Sequence, residues 1–407
     1  MTRVFLVVSL VCVMMARARP REAEEVQRLL RAVVATCVER GGWITHFELR
    51  RRPGSGLGVV ASRAMAAGEA VAELPYALHL NQETVARFLS PAVLAAAVDP
   101  QVRVAVFLAL ERFGLLPRGR PPRPRSWLAW FLGSPPELVS EWAALAELMP
   151  DRVENAAHWE AGREEREAAA LLRGPLGFIH DVGATWAALE GAGTGLTRAK
   201  FVWGYSMLLS RSFRDILGRA VIFPVVDLFN HAARPNVRAA VEQALFPDAT
   251  DAVTFVLTRD VAAGEELTIS YGERRGGGEL LQMYGFALPG NPHDAAPLRL
   301  ADSGIVPRWQ TDLLSAARVS DLLYVSREAV QPCALAAFLN GGDAPLSSSS
   351  FAPVVLDSSS TCSLQSFPIV AQLCREALTA ERGRAVSHML LPLRRERLAI
   401  LRRCAKS

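Results

Sequence analysis

The spacing of apolar residues changes several times along the chain, and each change predicts a change of secondary structure. Over residues 21–40 apolar residues recur every three to four positions, which predicts an amphipathic helix ended by Gly41 and Gly42. From Trp43 to about Pro75, alternating and β-branched residues separated by glycines predict strands. Residues 81–199 are rich in alanine and leucine and predict a mainly helical stretch.

The second half of the chain also changes between strand-like and helix-like spacing of apolar residues. Strand-like spacing returns from Ala220 to Tyr271, and the tail from residue 291 is mostly helical, with a loop predicted at 341–350. We therefore expect an α+β protein. It would have a β-rich core within residues 21–290, a helical insert at about 81–199, and an all-α C-terminal lobe at 291–407.

One internal similarity bears on the core. Residues 59–75 and 256–272 each contain a strand-like run, the turn A-A-G-E and a second strand-like run, so each predicts a hairpin with its glycine at positive φ. The glycines at 54–58 (G-S-G-L-G) are followed by a strand. A nucleotide-binding loop needs a helix there, so we interpret them as a loop that lets backbone approach closely.

Composition and charge narrow the classes of function. The chain has 407 residues, 50% hydrophobic and 21% charged, which is typical of a globular protein with two or three lobes. Its formal net charge of +4 is spread over short arginine clusters without interleaved aromatics, so no nucleic-acid partner is expected. The 6 cysteines show no C-x-x-C pair, so neither a metal site nor a disulfide framework is expected.

The N-terminus predicts a leader over residues 1–20. The apolar run Val4 to Met15 is followed by the small-x-small pattern Ala16-Arg17-Ala18. A secretory or organelle-entry signal and a plain hydrophobic start both fit. The run is too short to cross a bilayer, so no stable membrane association is expected. An intracellular location, in a plastid-like organelle or otherwise in the cytoplasm, is compatible with this start.

Several separated motifs carry a family resemblance. They are G-S-G-L-G-V-V-A (54–61), L-L-S-R-S-F (208–213), V-V-D-L-F-N-H (225–231), E-E-L-T-I-S-Y-G (265–272) and L-L-Q-M-Y-G-F (280–286). Their order and spacing resemble the SET-domain methyltransferases of the Rubisco large-subunit lysine methyltransferase-like subgroup. The resemblance implies a β-rich SET domain over 21–290, with a knot-like (pseudoknotted) crossing at the Asn-His loop and a C-terminal lobe that binds the protein substrate.

The resemblance also implies an activity: transfer of a methyl group from S-adenosyl-L-methionine to a protein lysine, without a metal. The chain has only two lysines, Lys200 and Lys406, so we expect a monomer that acts on another protein. Two alternatives stay open. One is methylation of a histidine by the same fold, and the other is a SET-type module that binds a protein without catalysis.

The same resemblance assigns residues. Tyr271 and Tyr284 are the expected catalytic and channel tyrosines, and Asp227 is the candidate carboxylate near the acceptor. Cofactor contacts are implied for Gly56, Leu57, Gly58, Arg211, Asn230, His231, Tyr271 and Phe286. Other interpretations stay open for some of them: a surface salt bridge for Arg211, a strand-register role for Asp227, and core packing for Tyr284 and Phe286. We expect His231 to position other groups, because no partner at triad spacing supports a catalytic base.

Two departures from the subgroup pattern stand out. The chain has R-G-G-G-E-L at 275–280 where the subgroup commonly has S-N-A-E-L, and Ser55 stands where an acidic residue is expected before G-L-G. The first departure puts substrate handling in question, and the second puts one cofactor contact in question.

Overall fold

The computed structural model describes most of the chain, with several gaps. The described residues are 23–44, 46–52, 56–116, 140–159, 177–215, 218–240, 252–272, 275–288, 290–291, 293–316, 322–326, 329–331, 336, 339, 362–363, 368–381 and 391–406. The predicted leader, Ser55 and the predicted loop at 341–350 lie outside these residues, so those expectations stay predictions.

Ten α-helices occur among the described residues. They are α1 Ala23–Glu39, α2 Pro91–Ala96, α3 Val102–Arg112, α4 Ala143–Leu148, α5 Gly177–Glu190, α6 Arg198–Arg211, α7 Gly277–Tyr284, α8 Arg308–Ala316, α9 Pro368–Ala380 and α10 Leu391–Cys404. Within the described ranges, none of these helices has the length and apolar character needed to cross a bilayer. The predicted first helix is confirmed as α1, which buries Val26, Leu29, Leu30, Val33 and Cys37.

The strands are short. They are β1 Trp43–Ile44, β2 Phe47–Arg52, β3 Gly56–Ala61, β4 Ala70–Pro75, β5 Leu80–Asn81, β6 Phe213–Arg214, β7 Ala220–Ile222, β8 Asn230–His231, β9 Val237–Ala240, β10 Ala252–Leu257, β11 Thr268–Ile269, β12 Ala296–Arg299, β13 Leu322–Val325, β14 Ala329–Gln331 and β15 Cys362–Ser363. They form small sheets with the orders β1-β4-β10-β9, β2-β3, β5-β7-β6, β11-β8 and β12-β13-β14-β15.

The chain divides into two compact units. The first consists of Met1–Val153 and Val182–Glu273, and the second of Glu154–Asp181 and Arg274–Ser407. Helix α7 belongs to the second unit, where Asn155 Nδ2 donates to the carbonyl oxygen of Met283 at 3.0 Å. This division follows packing and does not define the limits of a sequence family, so the predicted boundary at residue 290 stays a prediction.

In the first unit, helix α3 forms the centre of the helical insert. Its residues from Val102 to Glu111 are nearly all buried, as expected of a helix that is apolar on every side. Helix α6 packs against it at Gly204, where an added Cβ would lie 3.0 Å from Ala109 Cβ and closer still to the Ala105 carbonyl oxygen. A side chain at Gly204 would therefore separate the two helices.

The predicted hairpins are wrong in their pairing. Gly68 and Gly264 do have positive φ, 80° and 79°. The strands on either side of each turn, however, pair elsewhere: β3 with β2, β4 with β1 and β10, and β11 with β8. The two turns pair with each other instead, because Met65 and Val261 exchange backbone hydrogen bonds of 2.9 Å in both directions.

The expectation of an all-α C-terminal lobe is also wrong. The second unit contains the antiparallel sheet β12 to β15 beside its helices, with Ala296 paired to Val325 and Arg299 to Leu322. The run L-L-Y-V of β13 buries Leu323 and Val325 completely against α9 and α10. Cys374 and Cys404 form a disulfide between those two helices, which corrects the expectation from cysteine spacing.

Candidate active site

Asn230 lies at the centre of a hydrogen-bonded corner in the first unit. Strand β8, which carries it, runs parallel to β11 with Asn230 opposite Thr268. Asn230 Nδ2 donates to the Leu57 carbonyl oxygen at 3.1 Å and to Glu266 Oε1 at 2.8 Å. The corner thus joins three segments that are far apart in sequence: β3, β8 and the residues just before β11.

The glycines of β3 make room for this corner. A Cβ added at Gly58 would lie 3.0 Å from Asn230 Nδ2 and closer still to Glu266 Oε1. Gly56 has φ +79° and open space where a Cβ would lie. Gly58 therefore serves packing inside the corner, whereas Gly56 supplies a left-handed backbone at the exposed start of the strand.

His231 and Tyr271 form the second part of the site. His231 Nδ1 accepts a hydrogen bond from the Tyr271 backbone nitrogen at 3.1 Å, and the two rings lie 5.3 Å apart between centroids. The Tyr271 hydroxyl donates to the Phe229 carbonyl oxygen at 2.9 Å. His231 thereby fixes the backbone of Tyr271, in line with the positioning role expected for it.

Burial lowers the pKa of His231 below its usual value, and this outweighs a hydrogen bond with the Ile269 backbone that raises it. The neutral ring is required by the geometry, because a nitrogen that accepts a hydrogen bond cannot carry a proton. His231 is thus held neutral, with Nδ1 committed to Tyr271.

Arg211 and Asp227 form a buried ion pair. Arg211 Nη1 donates to Asp227 Oδ2 at 2.9 Å and to the Asp227 carbonyl oxygen at 3.0 Å. The Asp227 side chain is 0% exposed, and burial raises the pKa of its carboxyl even though Arg211 opposes the rise. The acceptor contact predicted for Asp227 does not fit this position, because the carboxylate faces Arg211 in the interior.

The turn that holds Asp227 is strained. Val225 has φ +72° and ψ −43°, and a β-branched residue rarely adopts such a positive φ. The turn is closed by hydrogen bonds of 3.0 Å from the Asp227 nitrogen to the Phe223 carbonyl and from the Leu228 nitrogen to the Val225 carbonyl. The two hydrogen bonds from Arg211 fasten the same turn, which leads directly into Asn230.

Tyr284 and Phe286 belong to the second unit. Tyr284 ends helix α7, and Gly285 follows with φ 78° as a left-handed C-cap. The ring centroids of Tyr284 and Phe286 are 6.3 Å apart, and the Arg275 guanidinium carbon lies 5.9 Å from the Tyr284 ring centroid. Both aromatic rings are half-buried, and their predicted roles stay predictions.

The start of helix α7 explains how the chain accommodates R-G-G-G-E-L. Gly276, the N-cap residue, has no side chain to accept a hydrogen bond. The Gly276 nitrogen instead donates to Glu279 Oε2 at 3.1 Å, and the Gly277 nitrogen donates to Asp294 Oδ1. Asp294 thus replaces the missing cap from a distance in sequence.

Sequence reasoning missed Glu266 and Asp294. Glu266 stands in the motif E-E-L-T-I-S-Y-G, but its partner Asn230 lies 36 positions away. The sequence did contain an indication of the role of Asp294. Three glycines at the start of a helix leave the first N–H groups of that helix without a local acceptor, so a distant acceptor is needed.

Comparison with known proteins places this site in a family. The SET-domain model matches residues 56–272, more than half of the chain, and this range contains Leu57, Arg211, Asn230 and Tyr271. The chain belongs to the SET-domain family. The resemblance inferred from the separated motifs is therefore confirmed.

Two curated relatives each align with more than half of the chain. The aldolase-lysine N-methyltransferase of Arabidopsis thaliana, a chloroplastic protein, is 28% identical over 57% of this SET-domain chain and 46% of its own length. The chloroplastic Rubisco large-subunit N-methyltransferase of Nicotiana tabacum is 23% identical over 60% of this chain and 48% of its own length. The chain thus spans about half the length of these relatives.

Solved structures confirm the SET fold. The SET domain of LSMT bound to lysine and AdoHcy matches with a TM-score of 0.60 at 18% identity, covering 95% of this chain and 91% of that one. The structure of Rubisco LSMT bound to AdoMet matches with a TM-score of 0.59 at 18% identity, over 94% and 91%. At this identity the likeness concerns the fold alone.

Proposed function

We propose that this SET-domain protein transfers methyl groups from S-adenosyl-L-methionine to lysine side chains of another protein. The observation that carries the proposal is the cluster within the family match. There Asn230 bonds to Leu57 and Glu266, and His231 holds Tyr271. The name of the Arabidopsis relative supports lysine as the acceptor, and the names of both the Arabidopsis and tobacco relatives support a plastid as the location.

The described residues fit S-adenosyl-L-methionine. The amino-acid end of this cofactor needs polar partners, and the atoms next to that end need space. Asn230 turns its amide nitrogen toward β3, so its oxygen points away from β3. Gly56 leaves open space at the start of that strand. Asn230, the backbone of Gly56–Gly58 and Arg211 would hold the cofactor, which when bound supplies a methyl group on a positively charged sulfur.

Arg211 has a narrower part in this proposal than the resemblance implies. Its Nη1 is committed to Asp227, and 16% of its side chain is exposed. The pair keeps the strained turn at Val225 in place and so sets where β8 begins. A carboxylate contact from the remaining guanidinium nitrogens would come in addition to this structural role.

Tyr271 can orient the lysine amine. A phenol has one proton, and Tyr271 donates it to the Phe229 carbonyl, so its oxygen acts toward an amine as an acceptor. An amine that donates to Tyr271 has its lone pair directed elsewhere, which is the arrangement that an in-line displacement needs. Tyr271 would thus contribute to methyl transfer by positioning the lysine amine.

The surroundings of Tyr271 also favour the neutral amine. Phe229 is completely buried beside it, and the Phe47 ring packs edge-on against Phe229 at 6.0 Å between centroids. An apolar environment disfavours the ammonium form of lysine, and only the unprotonated amine can attack. The proposed site therefore needs no separate catalytic base at His231.

Mass spectrometry tests this proposal. The protein would be incubated with isotopically labelled S-adenosyl-L-methionine and a chloroplast stromal extract, with purified fructose-bisphosphate aldolase and Rubisco as further candidate acceptors. We expect labelled methyl-lysine in a protein of the extract, and its loss with Tyr271→Phe. Labelled methyl-histidine would favour the other acceptor. Cofactor binding without any labelled protein would favour the non-catalytic module.

A further inference from the structure

We infer that Glu266 is a positioning residue that fixes the direction in which the Asn230 side-chain amide faces. The inference rests on the proposed function, since it concerns how the cofactor-binding corner is prepared before the cofactor arrives. Glu266 was assigned no role by the motifs, although it directly precedes the strand segment that leads to Tyr271.

The orientation follows from the acceptors around the amide. Asn230 Nδ2 has two N–H groups, and it donates to the Leu57 carbonyl at 3.1 Å and to Glu266 Oε1 at 2.8 Å. Turning the amide by half a rotation would bring its oxygen against both acceptors. Two such oxygen–oxygen contacts are unfavourable, so only one orientation is compatible with these neighbours.

Glu266 is itself held in place on several sides. Its carboxylate Oε2 pairs with Arg52 Nε at 3.3 Å, and its carbonyl oxygen accepts from Asn236 Nδ2 at 2.8 Å. The backbone of the next residue, Leu267, donates to the Val59 carbonyl at 2.8 Å. The backbone around Glu266 is thus held by two hydrogen bonds, and its carboxylate lies between Arg52 and Asn230.

The packing around Glu266 shows that its hydrogen bond with Asn230 matters more than its partly exposed ion pair with Arg52. Arg52 and Glu266 side chains are 30% and 25% exposed, so their attraction alone contributes little. Gly58, however, leaves room where any side chain would collide with both Glu266 Oε1 and Asn230 Nδ2. The chain thus keeps space for this contact, and its effect falls on the residue proposed to bind the cofactor.

Calorimetric titration with S-adenosyl-L-methionine tests the inference. Because a hydrogen bond to a charged group is among the stronger ones, Glu266→Ala should weaken binding about 10-fold or more. Glu266→Gln keeps a carbonyl oxygen facing Asn230 and should lose less than about 3-fold. Glu48→Ala, which removes an exposed ion pair with Arg50 on the strand that also carries Arg52, is the matched control and should leave affinity unchanged.

A second measurement reads the orientation without the cofactor. In protein labelled with ¹⁵N at asparagine, the Asn230 side-chain NH₂ signals, assigned by their loss in Asn230→Ala, should shift in Glu266→Ala and stay near their original positions in Glu266→Gln. Unchanged signals or unchanged affinity in a folded Glu266→Ala protein would overturn the inference. If the wild type did not bind the cofactor, the proposed function would fail, while the NMR signals would still decide the role of Glu266.

Discussion

Two turns of this protein have the same local contacts but lead into different parts of the structure. In each, an arginine pairs with the glutamate six residues on: Arg63 with Glu69, and Arg259 with Glu265. The same glutamates accept hydrogen bonds from the Ala66 and Ala262 nitrogens, at 3.2 and 3.0 Å. The first turn leads into β4 in the middle of a sheet, and the second leads to the candidate active site.

The residues after each turn explain the difference. Ala70 follows Glu69, whereas Glu266 follows Glu265, and Pro75 stands at the position equivalent to Tyr271. Strand β4 has partners on both sides, while β11 is two residues long and pairs with β8. We call the turn at 63–69 with the residues after it the first copy, and the turn at 259–265 with the residues after it the second copy. The shared turn acts as a scaffold in both copies. The chemistry specific to the site comes from the side chains that follow the turn in the second copy.

The largest expected effect is at the tyrosine of the second copy. Tyr271→Phe removes the hydroxyl that binds the Phe229 carbonyl and is proposed to accept from the amine. Methyl transfer should fall by about 10²-fold or more, the usual scale for a positioned acid–base group, with the fold retained. Tyr76→Phe, just after the first copy, is the control and should keep full activity. Equal losses in both variants would break the comparison.

A smaller effect is expected at Gly58. Gly58→Ala places a Cβ against both members of the Glu266–Asn230 pair, so cofactor affinity should fall by about 10-fold, measured by calorimetry. Gly183→Ala is the matched control, because its Cβ would meet no atom within 4 Å and it is an exposed position of helix α5. That control should raise stability slightly, since alanine favours helix. Normal affinity in Gly58→Ala would show that the corner has more freedom than its packing indicates.

Acid sensitivity should also arise at His231, which holds the backbone of Tyr271 in the second copy. The pKa of His231 is lowered by burial, so the unfolded chain takes up its proton at a higher pH than the folded one does. This contribution to the free energy of unfolding is present above about pH 6.5 and is lost as the pH falls. His231→Asn keeps an acceptor for the Tyr271 nitrogen and should show less loss. His293→Asn, an exposed histidine, should follow the wild type in denaturant titrations between pH 7 and pH 5.

The smallest effect is expected where the copies agree. Arg63 and Arg259 lower the pKa of Glu69 and Glu265, with help from the Ala66 and Ala262 backbone nitrogens. Their stabilisation is present above the ordinary glutamate pKa of about 4.3 and is lost as the pH falls through the lowered values. Glu69→Gln and Glu265→Gln should therefore give small, equal drops in Tm at pH 7. Unequal drops would show that the turns are not equivalent scaffolds.

Local pattern predicted some parts of this fold well. The three-to-four spacing of apolar residues located α1, and the order of the motifs predicted that Leu57, Asn230, His231 and Tyr271 belong together. The first signal is visible in one stretch of chain, whereas the second comes from the resemblance of separated motifs to a known family.

Strand pairing and long-range partners were not visible in that way. A glycine turn fixes a change of direction at Gly68 or Gly264, but it does not decide which strands pair, and here the turns pair with each other. The strands β12 to β15 have two to four residues, too few for a clear alternation. Glu266 and Asp294 obtained their roles from partners that only the folded chain brings near.

The central claim is that the corner around Asn230 binds S-adenosyl-L-methionine in a SET-domain methyltransferase. Calorimetric titration of the wild type and of Asn230→Ala tests it most directly. We predict saturable binding of one cofactor to the wild type and binding at least about 10-fold weaker in the variant, because one group with several hydrogen bonds is removed. Absence of binding to the wild type, or equal affinity in the two proteins, would contradict the claim.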